Sequence, residues 1–166
     1  MSKLTPKEFV AKFLQFARQT EEKTGISALF TLAQAALESG WGASVPGNMF
    51  FGIKAGANDN RQLLRTTEVL KNPDVKFPEV ISVKKRTDGR YDYVVKDWFR
   101  KYDTPEGSFT DHAGFFFAYN RYSKALEVKH DAYAFADAIA EAGYATAPNY
   151  AATLKSVIQT IERNLQ

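Results

Sequence analysis

The segment between Ser27 and Gly42 restricts the possible folds more than any other part of the chain. Ser27 is placed to cap a helix that begins at Ala28, and apolar residues then recur at spacings of three, four and seven. These residues are Leu29, Leu32, Ala33 and Ala36. The pattern predicts a helix with one face in the core, and its small side chains allow another element to approach closely. Gly40 and Gly42 are placed to end it, because glycine accepts the left-handed conformation common at helix C-termini.

Glu38 lies on the last turn of this predicted helix, directly after Leu37. The C-terminal end of a helix carries partial negative charge, which disfavours an ionised carboxyl and raises its pKa. Apolar Trp41, which follows closely, adds to this effect. A catalytic acid that must keep its proton near neutral pH benefits from such a position. The alternative is an ordinary solvated glutamate, and position alone favours that alternative.

Four short motifs favour the catalytic interpretation of Glu38 over the solvated one. The chain contains Ala35-Ala36-Leu37-Glu38-Ser39-Gly40-Trp41-Gly42 and Asn48-Met49-Phe50-Phe51-Gly52-Ile53-Lys54, followed later by Glu141-Ala142-Gly143-Tyr144-Ala145-Thr146 and Asn149-Tyr150-Ala151. In this order the motifs resemble the glucosaminidase domain of peptidoglycan hydrolases. That family includes flagellar rod-associated muralytic enzymes and many bacterial autolysins. The resemblance extends from Thr5 to Glu162, so it includes almost the whole chain.

Outside the central part, the chain is predicted to be helical. Thr5, Pro6 and Glu8 form the signature of a helix start, with a capping threonine, a proline in the first turn and a glutamate that completes a capping box. Gly25 is expected to end that helix. Further helices are predicted at residues 104–119, 123–128 and 132–142, and from Pro148 onward.

The central part is predicted to form a small antiparallel sheet of two or three strands. Runs rich in β-branched and aromatic residues occur at Leu63–Leu70, Val80–Lys85 and Tyr91–Trp98, and Asp88-Gly89 indicates a two-residue hairpin. The predicted class is therefore α+β and mainly α, with residues 1–166 as a single domain. The resemblance implies a lysozyme-like fold, in which a helical lobe and a β-hairpin lobe at about residues 60–100 flank the substrate cleft.

Composition excludes several other classes of protein. The chain has no cysteine, which excludes disulfides, thiolate metal sites and a cysteine nucleophile. Its two histidines lack the spacing of a zinc site, and we expect neither a metal nor a cofactor. A net charge of +3 is too small to indicate nucleic-acid binding, although it would assist approach to an anionic cell wall. No apolar run is long enough to insert through a membrane.

The resemblance assigns catalytic roles to three residues. Glu38 is the expected general acid, which protonates the leaving oxygen of a glycosidic bond. Glu68 aligns with a β-lobe glutamate that is proposed to act as base or to position water, and an exposed strand residue is the alternative. Glu79 competes for this role, because the segment after Val69 looks like an insertion. Tyr144 matches the family's functional tyrosine after Ala-Gly and is expected to hold the sugar or stabilise positive charge, rather than only pack at a helix end.

Four further residues are candidate substrate contacts, namely Trp41, Asn48, Phe50 and Tyr150. Trp41 and Phe50 belong to a loop rich in Gly, Asn and Pro, in which an aromatic ring is either a packing anchor or a ligand contact. Asn48 is suited either to binding an acetamido group or to forming a turn. No second carboxylate is needed if the N-acetyl oxygen of the substrate attacks the anomeric carbon, as in some glycosidase families.

Together, the residues and the resemblance predict a monomeric hydrolase of bacterial peptidoglycan that cuts the β-1,4 bond after N-acetylglucosamine. Two rival activities act on the same polymer, a muramidase and a lytic transglycosylase. A third rival is a non-catalytic wall-binding module that keeps the aromatic residues. The N-terminal residues lack the apolar core of a secretory signal peptide. We therefore expect a protein that acts in the periplasm or outside the cell and reaches the wall through phage lysis, effector secretion or removal of a leader.

Overall fold

The computed structural model describes residues 2–165, which contain five α-helices and a three-stranded sheet. The helices, numbered in chain order, are α1 (Pro6–Thr24), α2 (Ala28–Ser39), α3 (Pro105–Ala118), α4 (Ala132–Glu141) and α5 (Tyr150–Arg163). The strands are β1 (Arg61–Leu70), β2 (Glu79–Lys85) and β3 (Tyr91–Arg100). The predicted class, α+β and mainly α, is confirmed.

The chain divides into two compact units. Residues 52–101 form a sheet unit with all three strands, and the remaining described residues form a helical unit with all five α-helices. The predicted β-lobe at about residues 60–100 falls within the sheet unit. In the part of the chain that the structure describes, no helix combines the length and the apolar character needed to cross a lipid bilayer. That residues 1–166 form a single domain stays a prediction.

The ends of the first two helices follow the predicted capping signals. The Thr5 side chain accepts a hydrogen bond from the Glu8 backbone N–H at 3.2 Å, and the Glu8 carboxylate accepts one from the Thr5 N–H at 3.0 Å. This capping box satisfies backbone donors that the first helical turn leaves without partners. Gly25 ends α1 in the left-handed conformation, with φ at 76°. The α2 helix begins after Ser27 and ends before Gly40, so its predicted boundaries are confirmed.

The α2 helix forms the centre of the helical unit. It packs against α1, α3, α4 and α5, and every residue from Ala28 to Ala36 except Leu29 is buried. The prediction of a single core-facing stripe was too narrow, because the neighbouring helices also enclose the polar side chains of Thr31 and Gln34. Buried polar groups need hydrogen-bond partners, and the partners of Gln34 define the candidate site described below.

The sheet is antiparallel, with β3 between β1 and β2. The predicted hairpin between β2 and β3 is present, but the prediction of a two-residue connection is wrong. Arg86 and Arg90 close the loop through a backbone hydrogen bond of 2.7 Å, and the three residues between them make the turn. The Gly89 N–H donates to the Arg86 carbonyl at 3.2 Å, and Gly89 is left-handed with φ at 87°. A turn of this kind followed by a left-handed glycine is typical of three-residue hairpin loops.

Burial differs strongly between the strands. All seven residues of β2 are exposed, whereas β3 contributes the buried side chains of Tyr93, Val95 and Phe99. The Tyr93 hydroxyl donates to the Asn72 carbonyl at 2.5 Å and accepts from the Val75 N–H at 3.2 Å. It therefore anchors the proline-containing segment between β1 and β2 to the sheet.

Candidate active site

Side chains from α2, α3 and the C-terminal part of the helical unit meet in a hydrogen-bonded cluster. The Gln34 amide nitrogen donates to the Tyr150 hydroxyl at 3.0 Å, and the Gln34 amide oxygen lies 3.0 Å from His112 Nε2. The same nitrogen of His112 lies 3.2 Å from the Tyr144 hydroxyl. Gln34 is only 1% exposed, so this buried amide has a partner at each end. We call Gln34, His112, Tyr144 and Tyr150 the Gln34 network.

Glu38 lies one helical turn after Gln34 on α2, so the two side chains project from the same side of the helix. Desolvation by the surrounding protein raises the pKa of the Glu38 carboxyl, although the residue as a whole keeps an exposed surface. Within residues 2–165, no hydrogen bond or ion pair engages this carboxyl. Such a group is accessible to a ligand and holds its proton more firmly than an ordinary glutamate.

Electrostatics link Glu38 to two hydroxyls of the Gln34 network. Burial raises the pKa of Tyr150 to about 12, and the negative charge of Glu38 adds to that shift. Burial also raises the pKa of Tyr144 above its usual range, with further contributions from the hydroxyl of Tyr150 and the charge of Glu38. Both phenols therefore stay protonated at neutral pH and remain hydrogen-bond donors. The structure thus brings together three of the residues that the sequence singled out.

The end of α4 fixes the position of Tyr144. Gly143 is left-handed, with φ at 89°, and the Tyr144 N–H donates to the Ile139 carbonyl at 3.0 Å. The Tyr144 ring then lies in an aromatic group, with its centroid 5.6 Å from that of Phe116 and 5.5 Å from that of Tyr150. Backbone geometry and ring packing therefore both restrict where its hydroxyl can lie.

Trp41 has a strained backbone. Its φ of 56° is left-handed, as are the φ angles of Gly40 and Gly42 at 60° and 81°. A bulky residue rarely adopts this conformation, which is costly unless the surrounding structure enforces it. The Trp41 ring packs edge-on against Phe9 with centroids 5.5 Å apart, and its carbonyl accepts a hydrogen bond from the Leu4 N–H at 2.9 Å. A role as a substrate contact stays a prediction for this half-buried ring.

Asn48 and Phe50 occupy structural positions. The Asn48 side chain donates to the Tyr102 carbonyl at 2.9 Å from a left-handed backbone with φ at 58°, which is the turn role given above as the alternative. Phe50 is 3% exposed and packs edge-on against Phe13 and Phe109, with centroids 5.1 and 4.9 Å away. A ring enclosed in this way cannot stack on a sugar without rearrangement, so the geometry supports the packing role. A role as a substrate contact stays a prediction for both residues, and the burial of Phe50 does not support it.

Sequence reasoning missed three residues of the site, namely Gln34, Phe51 and His112. Gln34 is a polar residue in an otherwise apolar stretch, four positions before Glu38, and that spacing was the available signal. Phe51 stacks on the His112 ring with centroids 3.9 Å apart, but adjacency to Phe50 could not show which ring enters the core. Burial lowers the pKa of His112 to about 4, against the opposing effect of Asp111, so the imidazole is neutral at pH 7.

The sheet unit holds the two candidates for a second carboxylate. Glu68 on β1 forms an ion pair with Lys54 at 3.2 Å, and the same ammonium lies 2.6 Å from Asp97. Burial lowers the pKa of Lys54, but its hydrogen bonds to Asp97 and Glu68 outweigh burial, and the net shift is upward. Glu79 on β2 is exposed and lies 3.7 Å from Lys96. The role of either glutamate stays a prediction. Among the described residues, no group of three or more candidate ligands is arranged to hold a metal ion.

A desolvated, unpaired carboxyl at the end of a buried helix, beside protonated hydroxyls, is typical of glycosidases that need a proton donor. A family model described as mannosyl-glycoprotein endo-beta-N-acetylglucosaminidase matches residues 14–163. The chain belongs to this glucosaminidase family of glycoside hydrolases, as the sequence motifs had indicated.

Individual relatives agree with this assignment. The peptidoglycan hydrolase FlgJ of Pseudomonas aeruginosa is 31% identical over 93% of this chain, and the exo-glucosaminidase LytG of Bacillus subtilis is 30% identical over 91%. The chain spans 36% and 50% of those two proteins, respectively. The truncated glycoside hydrolase domain of Salmonella typhimurium FlgJ superimposes with a TM-score of 0.73 at 32% identity. That alignment covers 96% of this chain and 99% of the other.

Proposed function

We propose that this chain hydrolyses the glycan strands of bacterial peptidoglycan at the β-1,4 bond that follows N-acetylglucosamine, with Glu38 as general acid. The observation that carries the proposal is the Glu38 carboxyl, which is desolvated, unpaired among the described residues and electrostatically coupled to two tyrosine hydroxyls. Family membership supports the bond type, and the names of FlgJ relatives support the polymer.

The chemistry requires a proton on the leaving oxygen as the bond to the anomeric carbon breaks. A carboxyl with a raised pKa is suited to supply it near neutral pH, and the resulting carboxylate can later accept a proton from the attacking water. Tyr144 and Tyr150 present neutral O–H groups, which are suited to orient sugar hydroxyl or acetamido groups. Positive charge at the anomeric carbon is then stabilised either by a second carboxylate, with Glu68 as our first candidate, or by the substrate's acetamido oxygen.

The family description itself favours a second candidate substrate. It names a mannosyl-glycoprotein endo-beta-N-acetylglucosaminidase, so a glycan chain of a glycoprotein is the alternative polymer. The same acid chemistry would act on either polymer, so the two substrates are separated by assay rather than by the position of Glu38. A glycoprotein with high-mannose chains therefore serves as the comparison substrate.

Product analysis tests the proposed bond. Purified peptidoglycan is digested, the new reducing ends are reduced with borohydride, and the fragments are identified by mass spectrometry. We expect reduced N-acetylglucosamine ends, and no release from the mannosyl glycoprotein. Reduced muramic-acid ends would identify a muramidase and anhydro ends a lytic transglycosylase, and either result would overturn the proposed linkage.

The proposed substrate also defines where the protein acts. We expect a monomer that works on the cell wall, in the periplasm or outside the cell, without nucleic-acid or membrane partners. Sedimentation velocity measures the oligomeric state directly, and co-sedimentation with insoluble peptidoglycan measures wall binding. Binding without any fragment release from the unmodified chain would instead support the non-catalytic wall-binding module.

A further inference from the structure

The His112 ring is held in a fixed plane. It stacks on Phe51 with centroids 3.9 Å apart and planes 10° apart, and it runs parallel to Phe115 within 5° at 6.3 Å. Phe116 meets it edge-on at 5.5 Å. Three phenylalanine rings therefore restrict rotation of the imidazole, so the direction in which its Nε2 points is set by packing.

The Gln34 amide determines which nitrogen of that imidazole carries the hydrogen. Because the Gln34 nitrogen donates to the Tyr150 hydroxyl, its oxygen faces His112 Nε2 at 3.0 Å. An amide oxygen only accepts hydrogen bonds, so Nε2 of the neutral ring must be the protonated nitrogen. Gln34 is thus placed to select one tautomer of His112.

The same N–H reaches the Tyr144 oxygen at 3.2 Å. Since this oxygen faces a donor, the Tyr144 hydrogen is directed away from His112. Glu38 lies one helical turn after Gln34 on α2, and Gln34 contacts the same His112 nitrogen, so the Tyr144 hydroxyl lies near the turn of α2 that carries the proposed acid.

We propose that Gln34 and His112 are positioning residues, which orient the Tyr144 hydroxyl so that its oxygen accepts from His112 and its hydrogen is presented to the substrate. This inference rests on the proposed function, in which Tyr144 contacts the sugar. Apolar side chains would fill the same volume among the phenylalanine rings, and polar groups in such surroundings are unfavourable unless they are paired. The pairing seen here accounts for both polar residues at once.

A double-mutant cycle tests whether His112 affects catalysis by orienting the Tyr144 hydroxyl. The variants are His112→Phe, Tyr144→Phe and the double variant, assayed for kcat and KM on soluble peptidoglycan fragments. We expect each single change to lower kcat by about 10- to 100-fold, since misplacing a catalytic contact by about 1 Å has this effect. The double variant should be no slower than the slower single variant, because both changes remove the same oriented hydroxyl. If the fold losses in kcat of the two single variants multiply in the double variant, the inference is overturned.

Rescue and folding controls accompany the cycle. His112→Gln keeps an N–H that reaches about as far as Nε2, so it should retain more activity than His112→Phe, and equal losses would contradict the inference. Exposed His130 supplies the matched control, and His130→Gln should leave kcat unchanged. If His112→Phe does not fold, Gln34→Met replaces it in the cycle, because methionine fills a similar volume without hydrogen bonds. Thermal unfolding verifies that each variant is folded.

A spectroscopic measurement tests the tautomer without reference to activity. The protein contains two histidines, so nitrogen-15 NMR of labelled imidazoles resolves His112 from His130. We expect His112 to be neutral with its hydrogen on Nε2, and the tautomer preference to weaken in Gln34→Met. A hydrogen on Nδ1 would overturn the inference. If the wild-type chain is inactive but His112 has the expected tautomer, the proposed function alone is refuted. If the chain is active but the losses in kcat of the two single variants multiply in the double variant, only the positioning role is refuted.

Discussion

Glu38 and Glu68 were both predicted to be catalytic, yet they differ in the element that carries them and in their charged partners. Glu38 ends a helix that is buried almost all round, and no cation among residues 2–165 pairs with it. Glu68 lies on a strand whose alternate residues are exposed, and it pairs with Lys54 at 3.2 Å. Carboxyl groups in contrasting environments take different roles in glycosidases. This contrast supports the proposal that Glu38 donates the proton, and it suits Glu68 to the proposed supporting role as a charged group.

The largest loss of activity is expected when Glu38 is replaced by a residue that cannot donate a carboxyl proton. Glu38→Gln should lower the rate of fragment release from peptidoglycan by about 10²–10⁴-fold, the usual contribution of a general acid, while wall binding is kept. Glu22→Gln is the matched control, because Glu22 is another exposed glutamate near a helix end and lies on α1. Glu68→Gln should cost less than Glu38→Gln. An equal or larger loss at Glu68, or an undiminished rate at Glu38, would reverse the comparison.

The supports of the two carboxyl groups should also differ in stability. Leu32→Ala removes a fully buried side chain of α2 and should lower the free energy of unfolding by about 2–5 kcal/mol. Val69→Thr changes a side chain on β1, next to Glu68, that is 44% exposed and should stay within about 0.5 kcal/mol of wild type. Urea unfolding followed by circular dichroism measures both. Similar losses at the two positions would show that Glu38 has no firmer support than the sheet.

Lys54 offers a way to decide between Glu68 and Glu79. Lys54→Gln should lower the rate of fragment release about two- to fivefold, because a partly exposed ion pair contributes about 0.5–1 kcal/mol. Lys96→Gln, which breaks the 3.7 Å contact with Glu79, should leave the rate unchanged. The opposite ranking of these two lysine variants would favour Glu79 as the second carboxylate. Matched unfolding curves exclude an indirect effect of lost stability.

The smallest effect concerns the pH dependence of stability. Folding raises the pKa of Glu38, so above the ordinary glutamate value of 4.5 the folded state binds more protons than the unfolded state. Wild-type stability therefore falls relative to Glu38→Gln as pH rises above that value, and the difference disappears at lower pH, where Glu38 is protonated in both states. Melting temperatures of wild type and Glu38→Gln, measured from below to above pH 4.5, show whether the stability difference between them changes with pH in the expected direction. A Glu38→Gln variant that loses stability relative to wild type as the pH rises would contradict a raised pKa of Glu38.

Local signals in the sequence were sufficient to place α2 and to locate Glu38 on its last turn. The hydrogen bond that the Ser27 side chain accepts from the Phe30 N–H and the left-handed turn at Gly40 involve only near neighbours. Both helix ends therefore followed from residue identity. The Gln34 network did not, because its bonds join residues 78 and 116 positions apart. The residues next to His112 in the sequence gave no indication of the partner that it finds on another helix.

The packing of adjacent aromatic residues and the length of a turn were likewise not predictable from local sequence. Nothing in the adjacent Phe50 and Phe51 indicated that the first ring enters the core while the second stacks on the imidazole. The loop after β2 was misjudged by one residue, because an Asp-Gly pair fits either a two-residue turn or a three-residue turn that ends in left-handed glycine. In both cases the outcome depends on packing and strand register, which short sequence windows do not contain.

The hydrogen bond from the Leu4 N–H to the Trp41 carbonyl has a practical consequence for engineering. This bond connects the residues before α1 to the strained turn that follows Glu38, so tension on those residues is transmitted to the turn. A tag or carrier domain fused directly in front of Leu4 would pull on this bond. A Gly/Ser spacer, which behaves as a flexible coil, would isolate the turn from such tension.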